Sequence, residues 1–263
     1  DMPSHERNLL LKYCYVSEIR SYSVPKISDV LLRSSDELNI FDTPLMLSRN
    51  MGLSIEQQWI KRAEDLVISA LMMILFSPVF LIAAIGIKCT DRGPIFYKQE
   101  RLTKDGKKFM IYKFRTMIVD AEKTSGPVLA TDRDPRILPI GRLLRATRLD
   151  ELPQIVNILK GEMSVVGPRP ERPDLAVEIE KDVPEFGYRL KVKAGLTGYA
   201  QVYGKYNTTP YDKLKLDLYY IQHYKVWTDI QLILMTFKIM FLKENTEGVE
   251  KEQKTASIKK KVK

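Results

Sequence analysis

Asp150 and Glu151 stand side by side just ahead of Pro153, within the run DRDPRILPIGRLLRATRLDELPQIVNILKGEMSVVGPRPER that extends from Asp132 to Arg172. Pro153 suits an early position in a helix ending near Lys160, and the amides at such an N-terminus stabilise carboxylates and favour phosphate. Two bare carboxylates would repel a phosphate. The pair becomes useful when a divalent cation sits between them, and hard carboxylate oxygens are what Mg2+ takes. The plain alternative is an N-cap residue beside a solvated neighbour.

The surrounding cations favour phosphoryl chemistry. Arg142, Arg145 and Arg148 precede the pair, and Arg169 lies between Pro168 and Pro170. Prolines on both sides limit that backbone, so the guanidinium is held for a forked contact with phosphate at little entropic cost. Lys113 and Arg115, two apart in KFRTM, are expected to point to one face of a strand.

The whole chain sets the limits on that reading. At 263 residues, 44% apolar and 29% charged, it builds a core and is neither disordered nor a multi-span membrane protein. Lys+Arg 42 against Asp+Glu 33 leaves +9, which calls for an anionic partner: nucleic acid, phosphate-rich substrate or acidic membrane face. Two cysteines (Cys14, Cys89) and two histidines (His5, His223) allow neither a disulfide framework nor a Cys/His zinc site, and point to a reducing compartment. They also argue against Ser-His-Asp and Cys-His catalysis. No P-loop and no GxGxxG is present, so neither an NTPase nor a Rossmann cofactor is read, and without a helix-turn-helix, zinc-finger or RRM signature no nucleic acid is expected as a partner. The chain opens at Asp1 without a basic n-region, and is expected to be a fragment of a longer protein.

Val67 to Ile87 carries no charge over 21 residues. As one straight helix it would reach about 30 Å, enough to cross a bilayer core. Pro78 breaks it near the middle, leaving arms of about 15 Å each. Arg49, Lys61 and Arg62 precede the segment, and a dense run of cations from Lys88 to Lys108 follows it. Positive charge on both sides fits two ends on the cytoplasmic face, and Ser77 can re-satisfy backbone that Pro78 frees. A re-entrant hairpin, a kinked span and a buried core helix all remain open on pattern alone.

Residues 1–53 read as the end of an α/β domain: a helix from His5 to Val16, a strand from Ile19 to Val24, then loop and turn material through Gly52. Ser54-x-x-Gln57 is a capping box. A hairpin is expected through Ile95–Tyr97 and Phe109–Phe114, with helices near 140–147, 153–160 and 174–182. Tyr211 to Tyr224 reads as an amphipathic helix, and Ile230 to Phe241 as a short apolar one, interfacial or core. Residues 244–263 form a charged tail expected to be mobile.

Taken together, KRAEDLVISALMMILFSP, GPIFYKQER, KFRTM, DRDPRI, RLDELPQIVNILKGEMSVVGPRPE and KAGLTGYAQV resemble, in order, the bacterial sugar transferases known as monotopic polyprenyl phosphate phosphoglycosyl transferases. The resemblance covers Gln58 to Phe241, with residues 1–53 similar to the end of the extra domain of the larger members. It implies an α/β fold of short helices with a small sheet, in which residues 54–243 form the catalytic domain. A re-entrant helix at 67–87, broken at Ser77-Pro78, and interfacial amphipathic helices would attach it to the cytoplasmic face of the bacterial inner membrane.

The implied substrates are a UDP-sugar and undecaprenyl phosphate, the implied products UMP and a polyprenyl-diphospho-sugar that starts capsule or exopolysaccharide assembly. Asp150 would be the nucleophile, forming an aspartyl phosphosugar. Glu151, with Asp150 beside it, would hold Mg2+, and Arg145 and Arg169 would handle phosphate. Lys113 and Arg115 would be substrate or structural cations. Thr197 and Gln201 would contact substrate or belong to a Gly-rich turn. A homodimer is a candidate assembly by the same resemblance. Two other readings stay open at this level: a non-catalytic membrane-anchored module of a polysaccharide assembly complex, and a peripheral glycosyltransferase that releases UDP.

Overall fold

A computed structural model of the chain describes residues 2–33, 35–40, 43–47, 52–119, 121, 134–204 and 208–240; the tail expected over 244–263 lies outside them. The chain divides into one unit over Asp1–Arg49 and another over Asn50–Lys263.

In the first unit, α1 (Ser4–Val16) and α2 (Ile27–Arg33) are tied by Asp29. Its carboxylate caps the start of α2 through the Lys26 amide (2.8 Å) and accepts both guanidinium nitrogens of Arg7, at 2.5 and 2.8 Å. β1 (Asp36–Ile40) and β2 (Thr43–Leu47) pair antiparallel, with Asp36 opposite Leu47 and Ile40 opposite Thr43. Two expectations are corrected here. Ile19–Val24 forms no strand, and the stretch read as loop through Gly52 contains α2 and the hairpin. A strand needs a ladder partner for its amides and carbonyls. Glu18 leaves α1 in a left-handed conformation (φ 53°), and the residues after it find no such partner among the described residues, whereas Asp36–Ile40 and Thr43–Leu47 pair with each other.

The second unit opens with α3 (Ile55–Leu75), started by the capping box read from sequence: the Gln57 amide donates to Ser54 Oγ at 3.2 Å and the Ser54 amide to Gln57 Oε1 at 2.9 Å. α4 (Ser77–Asp91) follows after the single residue Phe76, bent by 59° from α3. Pro78 has no amide to offer the carbonyl of Ile74, four residues back. Ser77 Oγ donates to that carbonyl instead, at 2.8 Å. Among the described residues no single helix is long and apolar enough to cross a membrane; only the bent pair passes, by length and composition.

α3 is polar on its buried face, and both helices are apolar outward. Lys61, Asp65 and Ser69, four apart on one face of α3, are 7%, 1% and 0% exposed, whereas Leu71, Ile74, Leu75, Leu81, Ile82 and Ile85 are each more than half exposed. That inverts the usual amphipathic arrangement. Lys61 Nζ lies 3.0 Å from Asp65 and 2.7 Å from Asp229, and Asp65 also accepts Ser164 Oγ and the Val165 amide, both at 2.9 Å.

Behind the pair, β3 (Phe96–Leu102) and β4 (Lys108–Phe114) form the expected hairpin, with Phe96 opposite Phe114 and Leu102 opposite Lys108. α5 (Pro139–Ala146), a 3-10 turn at Leu149–Glu151 and α6 (Gln154–Lys160) follow. β5 (Ser164–Val166), α7 (Pro173–Asp182), a 3-10 stretch at Pro184–Lys191, β6 (Gly195–Thr197), α8 (Tyr199–Tyr203), α9 (Pro210–Gln222) and α10 (Val226–Met240) complete the described residues. β5 and β6 pair in parallel, Ser164 with Gly195 and Val166 with Thr197. A Cβ on Gly195 would stand 2.1 Å from the Gly167 amide nitrogen, so only glycine allows that approach. The mixed, mainly helical fold with small two-stranded sheets agrees with the sequence reading.

One core cluster positions the site. Ala83 and Ile87 of α4, Phe114 of β4, Leu144 of α5, Leu152 and Ile155 of α6 and its approach pack together, with Leu149 against them. Each such buried aliphatic or aromatic side chain contributes about 1.5–3 kcal/mol. α4 is therefore in direct contact with the elements that carry Asp150 and Glu151.

Candidate active site

Arg148 takes a left-handed backbone conformation (φ 55°) between α5 and the 3-10 turn Leu149–Glu151. For a residue with a Cβ that conformation is strained, and strain of this kind persists only where the surroundings over-determine it. Here the two flanking apolar residues, Leu149 and Leu152, are anchored in the core cluster. Asp150 and Glu151 are thereby turned outward between them, both partly buried.

The two carboxylates have different surroundings. Glu151 Oε1 accepts Lys113 Nζ at 2.6 Å and Arg169 Nη2 at 3.0 Å. Burial alone would raise its pKa, but Arg169 and Lys113 outweigh it and hold Glu151 well below the usual carboxylate range. Asp150 shifts the other way, raised by burial and by the adjacent Glu151 charge, with Lys113 and Arg145 opposing. One carboxylate is locked as an anion by two cations. Its neighbour is half-buried, and among the described residues no cation is seated directly on it. That division suits one group for electrostatic organisation and the other for attack on an electrophile.

Arg145, near the end of α5, donates from Nε to Thr116 Oγ1 at 2.8 Å and interacts with Asp150 through charge. Lys113 reaches Glu151, but Arg115 does not join it: β4 ends at Phe114, and the Arg115 guanidinium turns to Asp91 and the carbonyls of Pro94 (2.6 Å) and Met117 (3.2 Å). The one-face expectation for these two residues is corrected accordingly. Arg115, 5% exposed, ties the end of α4 to the hairpin. Arg142 and Arg148 are exposed. Thr197 Oγ1 shares a 2.6 Å hydrogen bond with Thr236 of α10, and Gln201 Nε2 reaches the Leu196 carbonyl at 3.4 Å. These bonds run to β6 and α10, and not to the carboxylate pair.

Asn157, which the sequence reading passed over, and Arg62, read there only as a cation flanking the apolar segment, hold α6 in place. Asn157, fully buried, accepts the Tyr112 amide at 3.0 Å and donates to the Met110 carbonyl at 2.8 Å, fixing α6 to β4. Arg62 of α3 donates to the Ile158 and Leu159 carbonyls, at 2.6 and 2.8 Å, and so satisfies the last turn of α6. A polar residue on an otherwise apolar helix face was the available signal for Asn157.

Among the described residues no three His, Cys, Asp or Glu side chains converge as a metal cluster. Asp150 and Glu151 offer a smaller donor set of hard oxygens, with both cation contacts to Glu151 falling on Oε1. That set fits Mg2+, which binds through one or two carboxylates, several waters and substrate phosphates.

Residues 56–243 match the family described as bacterial sugar transferase. The chain is 33% identical over 231 residues to the UDP-N-acetylgalactosamine-undecaprenyl-phosphate N-acetylgalactosaminephosphotransferase of Aeromonas hydrophila, covering 87% of this chain and 54% of the relative. It is 38% identical over 202 residues to the UDP-glucose:undecaprenyl-phosphate glucose-1-phosphate transferase of Escherichia coli K12, covering 75% and 42%. The undecaprenyl-phosphate galactose phosphotransferase of Salmonella typhimurium is 35% identical over 239 residues, covering 84% and 49%. The chain spans about half the length of these curated relatives.

Proposed function

This chain belongs to the bacterial sugar transferase family, and from that premise we propose that it moves a sugar-1-phosphate from a UDP-sugar to undecaprenyl phosphate and releases UMP. The observation that carries the reading is the Asp150-Glu151 pair, in which Glu151 is clamped by Lys113 and Arg169 while Asp150 is left half-buried beside it. Relatives named for N-acetylgalactosamine, glucose and galactose transfer to undecaprenyl phosphate support the substrate class.

In the first step an Asp150 carboxylate oxygen attacks the sugar-linked phosphorus, the bond to the bridging oxygen breaks, and UMP leaves with that oxygen. In the second, an oxygen of the lipid phosphate attacks the same phosphorus and releases Asp150, giving a polyprenyl-diphospho-sugar. Dividing the transfer in two means that soluble and lipid substrates need not be bound together. Arg169 and Arg145 neutralise the diphosphate as anion approaches anion, and Lys113 keeps Glu151 ionised and oriented. Mg2+ held by Glu151 and Asp150 would supply further neutralisation of diphosphate charge.

The exposed apolar faces of α3 and α4 are read as a re-entrant hairpin in the cytoplasmic leaflet of the inner membrane, with both charged ends inside. Trp227 and Leu234 of α10, 64% and 62% exposed, suit the adjoining interface. The product would start capsule or exopolysaccharide assembly, and a homodimer is the assembly proposed.

The test is the nucleotide product. The protein in detergent or vesicles, given undecaprenyl phosphate, magnesium and a panel of UDP-sugars, is expected to release UMP from at least one. Release of UDP would identify a glycosyltransferase of another kind, and no release from any sugar would overturn the assignment.

A further inference from the structure

Arg169 can face Glu151 only if its loop is held. Prolines on either side restrict the backbone, yet the direction of the side chain also depends on what the loop rests against. Four successive carbonyls of this loop each accept from a different place. The Gly195 amide donates to Pro168 at 2.9 Å, Arg189 Nη2 to Arg169 at 3.0 Å, Arg101 Nη1 to Pro170 at 3.2 Å and the Leu102 amide to Glu171 at 2.9 Å.

Among these donors, Arg189 is the side chain that grips the carbonyl of Arg169 itself. It is 4% exposed, its guanidinium lies 4.8 Å from the Phe186 ring centre, and the same Nη2 stands 2.8 Å from Asp217 Oδ2 on α9. Asp217 is 1% exposed, and Glu171 lies 3.6 Å from Arg189 Nη1. A buried ion pair is a poor source of net stability, and well-packed apolar residues often replace one without loss. What apolar residues cannot supply is a rigid donor to the Arg169 carbonyl. Nη2 serves the Asp217 carboxylate and the Arg169 carbonyl while Nη1, the other prong of the fork, faces Glu171, a planar spread that a single ammonium reproduces less well.

We propose that Arg189 is a positioning residue: held by Asp217, it fixes the Arg169 backbone so that the Arg169 guanidinium stays on Glu151 and faces the diphosphate of the substrate. The inference rests on the transferase reading above and extends it to α9, which bears Asp217 and takes no part in the carboxylate site.

Arg189→Lys keeps a cation for Asp217 but loses the fork, and Asp217→Asn keeps the donor to Arg169 but removes its anchor. Each is compared with the parent in two backgrounds, native and Arg169→Ala, by UMP release at raised enzyme concentration. In the native background Arg189→Lys is expected to lower kcat/KM about 10- to 100-fold, the scale of a misplaced catalytic group. In the Arg169→Ala background the same change is expected to cost less than about twofold, because its target is already gone. Equal losses in both backgrounds would show a structural latch only and overturn the proposal. Should thermal melting show Arg189→Lys unfolded, Asp217→Asn carries the same cycle, with a smaller loss that must also vanish without Arg169. An unmutated protein that releases no UMP overturns the transferase reading itself, whereas an active one with additive losses overturns only the positioning role.

Discussion

Asp150 and Glu151 are adjacent and chemically alike, yet the structure gives them opposite electrostatic settings. The difference comes from Lys113 and Arg169, which arrive from 38 residues before and 18 residues after Glu151. If Glu151 organises charge as argued, Glu151→Gln should slow UMP release and raise the magnesium concentration that it requires. A loss of about 10- to 100-fold in apparent magnesium affinity is the expected size, read from UMP release across magnesium concentrations; an unchanged magnesium curve would remove Glu151 from that role. The grouping of the carboxylate pair with Arg169 was legible in the sequence from residue types and close spacing, whereas their roles came only from the family resemblance. Arg115 was not, because its direction depends on where β4 stops. Asn157 and Arg189 were not either, since their partners lie 45 and 20 residues away and nothing in local spacing announces them.

At the scale of elements, the break between α3 and α4 follows from two neighbouring residues: Pro78 withholds an amide and Ser77 returns a hydroxyl to the same carbonyl. Replacing both by Leu should restore the ladder and straighten the pair. Cysteines placed near Lys61 and Lys88 are expected to be labelled from one side of the membrane in the native protein, and from opposite sides in the Ser77→Leu/Pro78→Leu variant. Opposite labelling in the native protein would contradict the hairpin. The sequence left hairpin, span and core helix open because composition does not show which face is buried. The structure shows which face that is, with Lys61, Asp65 and Ser69 buried and the leucines and isoleucines exposed, and this supports the proposed hairpin over a core helix. Glu64, beside that polar face, carries a pH dependence. Burial pushes it up to about 7 from the ordinary 4.5, with Lys61 opposing and Asp229, Asp65 and Tyr224 also facing it. The folded state therefore binds this proton more tightly than the unfolded state. Its contribution is fully present below about 4.5 and is lost as pH rises through about 7. Thermal melts from pH 4.5 to 8 should show a shallower decline for Glu64→Gln than for the native protein.

Over the whole chain, the +9 surplus includes cations on both sides of the apolar stretch of α3 and α4 and cations around the carboxylates. The two regions are joined by packing: α4 shares a core cluster with α6, and α3 is bound to β5 and α10 through Lys61, Asp65 and Asp229. Burial works against the Lys61 charge, but Asp229 and Asp65 outweigh it and raise its pKa. Lys61→Met would leave two carboxylates, 2% and 0% exposed, without their shared cation. The expected loss is about 3–5 kcal/mol of stability, checked by thermal or denaturant unfolding in detergent, and a loss near zero would contradict the joining role. On the proposed function, Asp150 fixed in this way would meet a soluble nucleotide sugar and a lipid phosphate at one place. The covalent step tests that most directly. Protein incubated with a UDP-sugar labelled at the sugar-linked phosphorus, with no lipid acceptor, should carry the label on Asp150 while UMP appears in solution, and Asp150→Asn should carry none. Equal labelling of Asp150→Asn, or UMP release by that variant at the native rate, would contradict an aspartyl phosphosugar at Asp150.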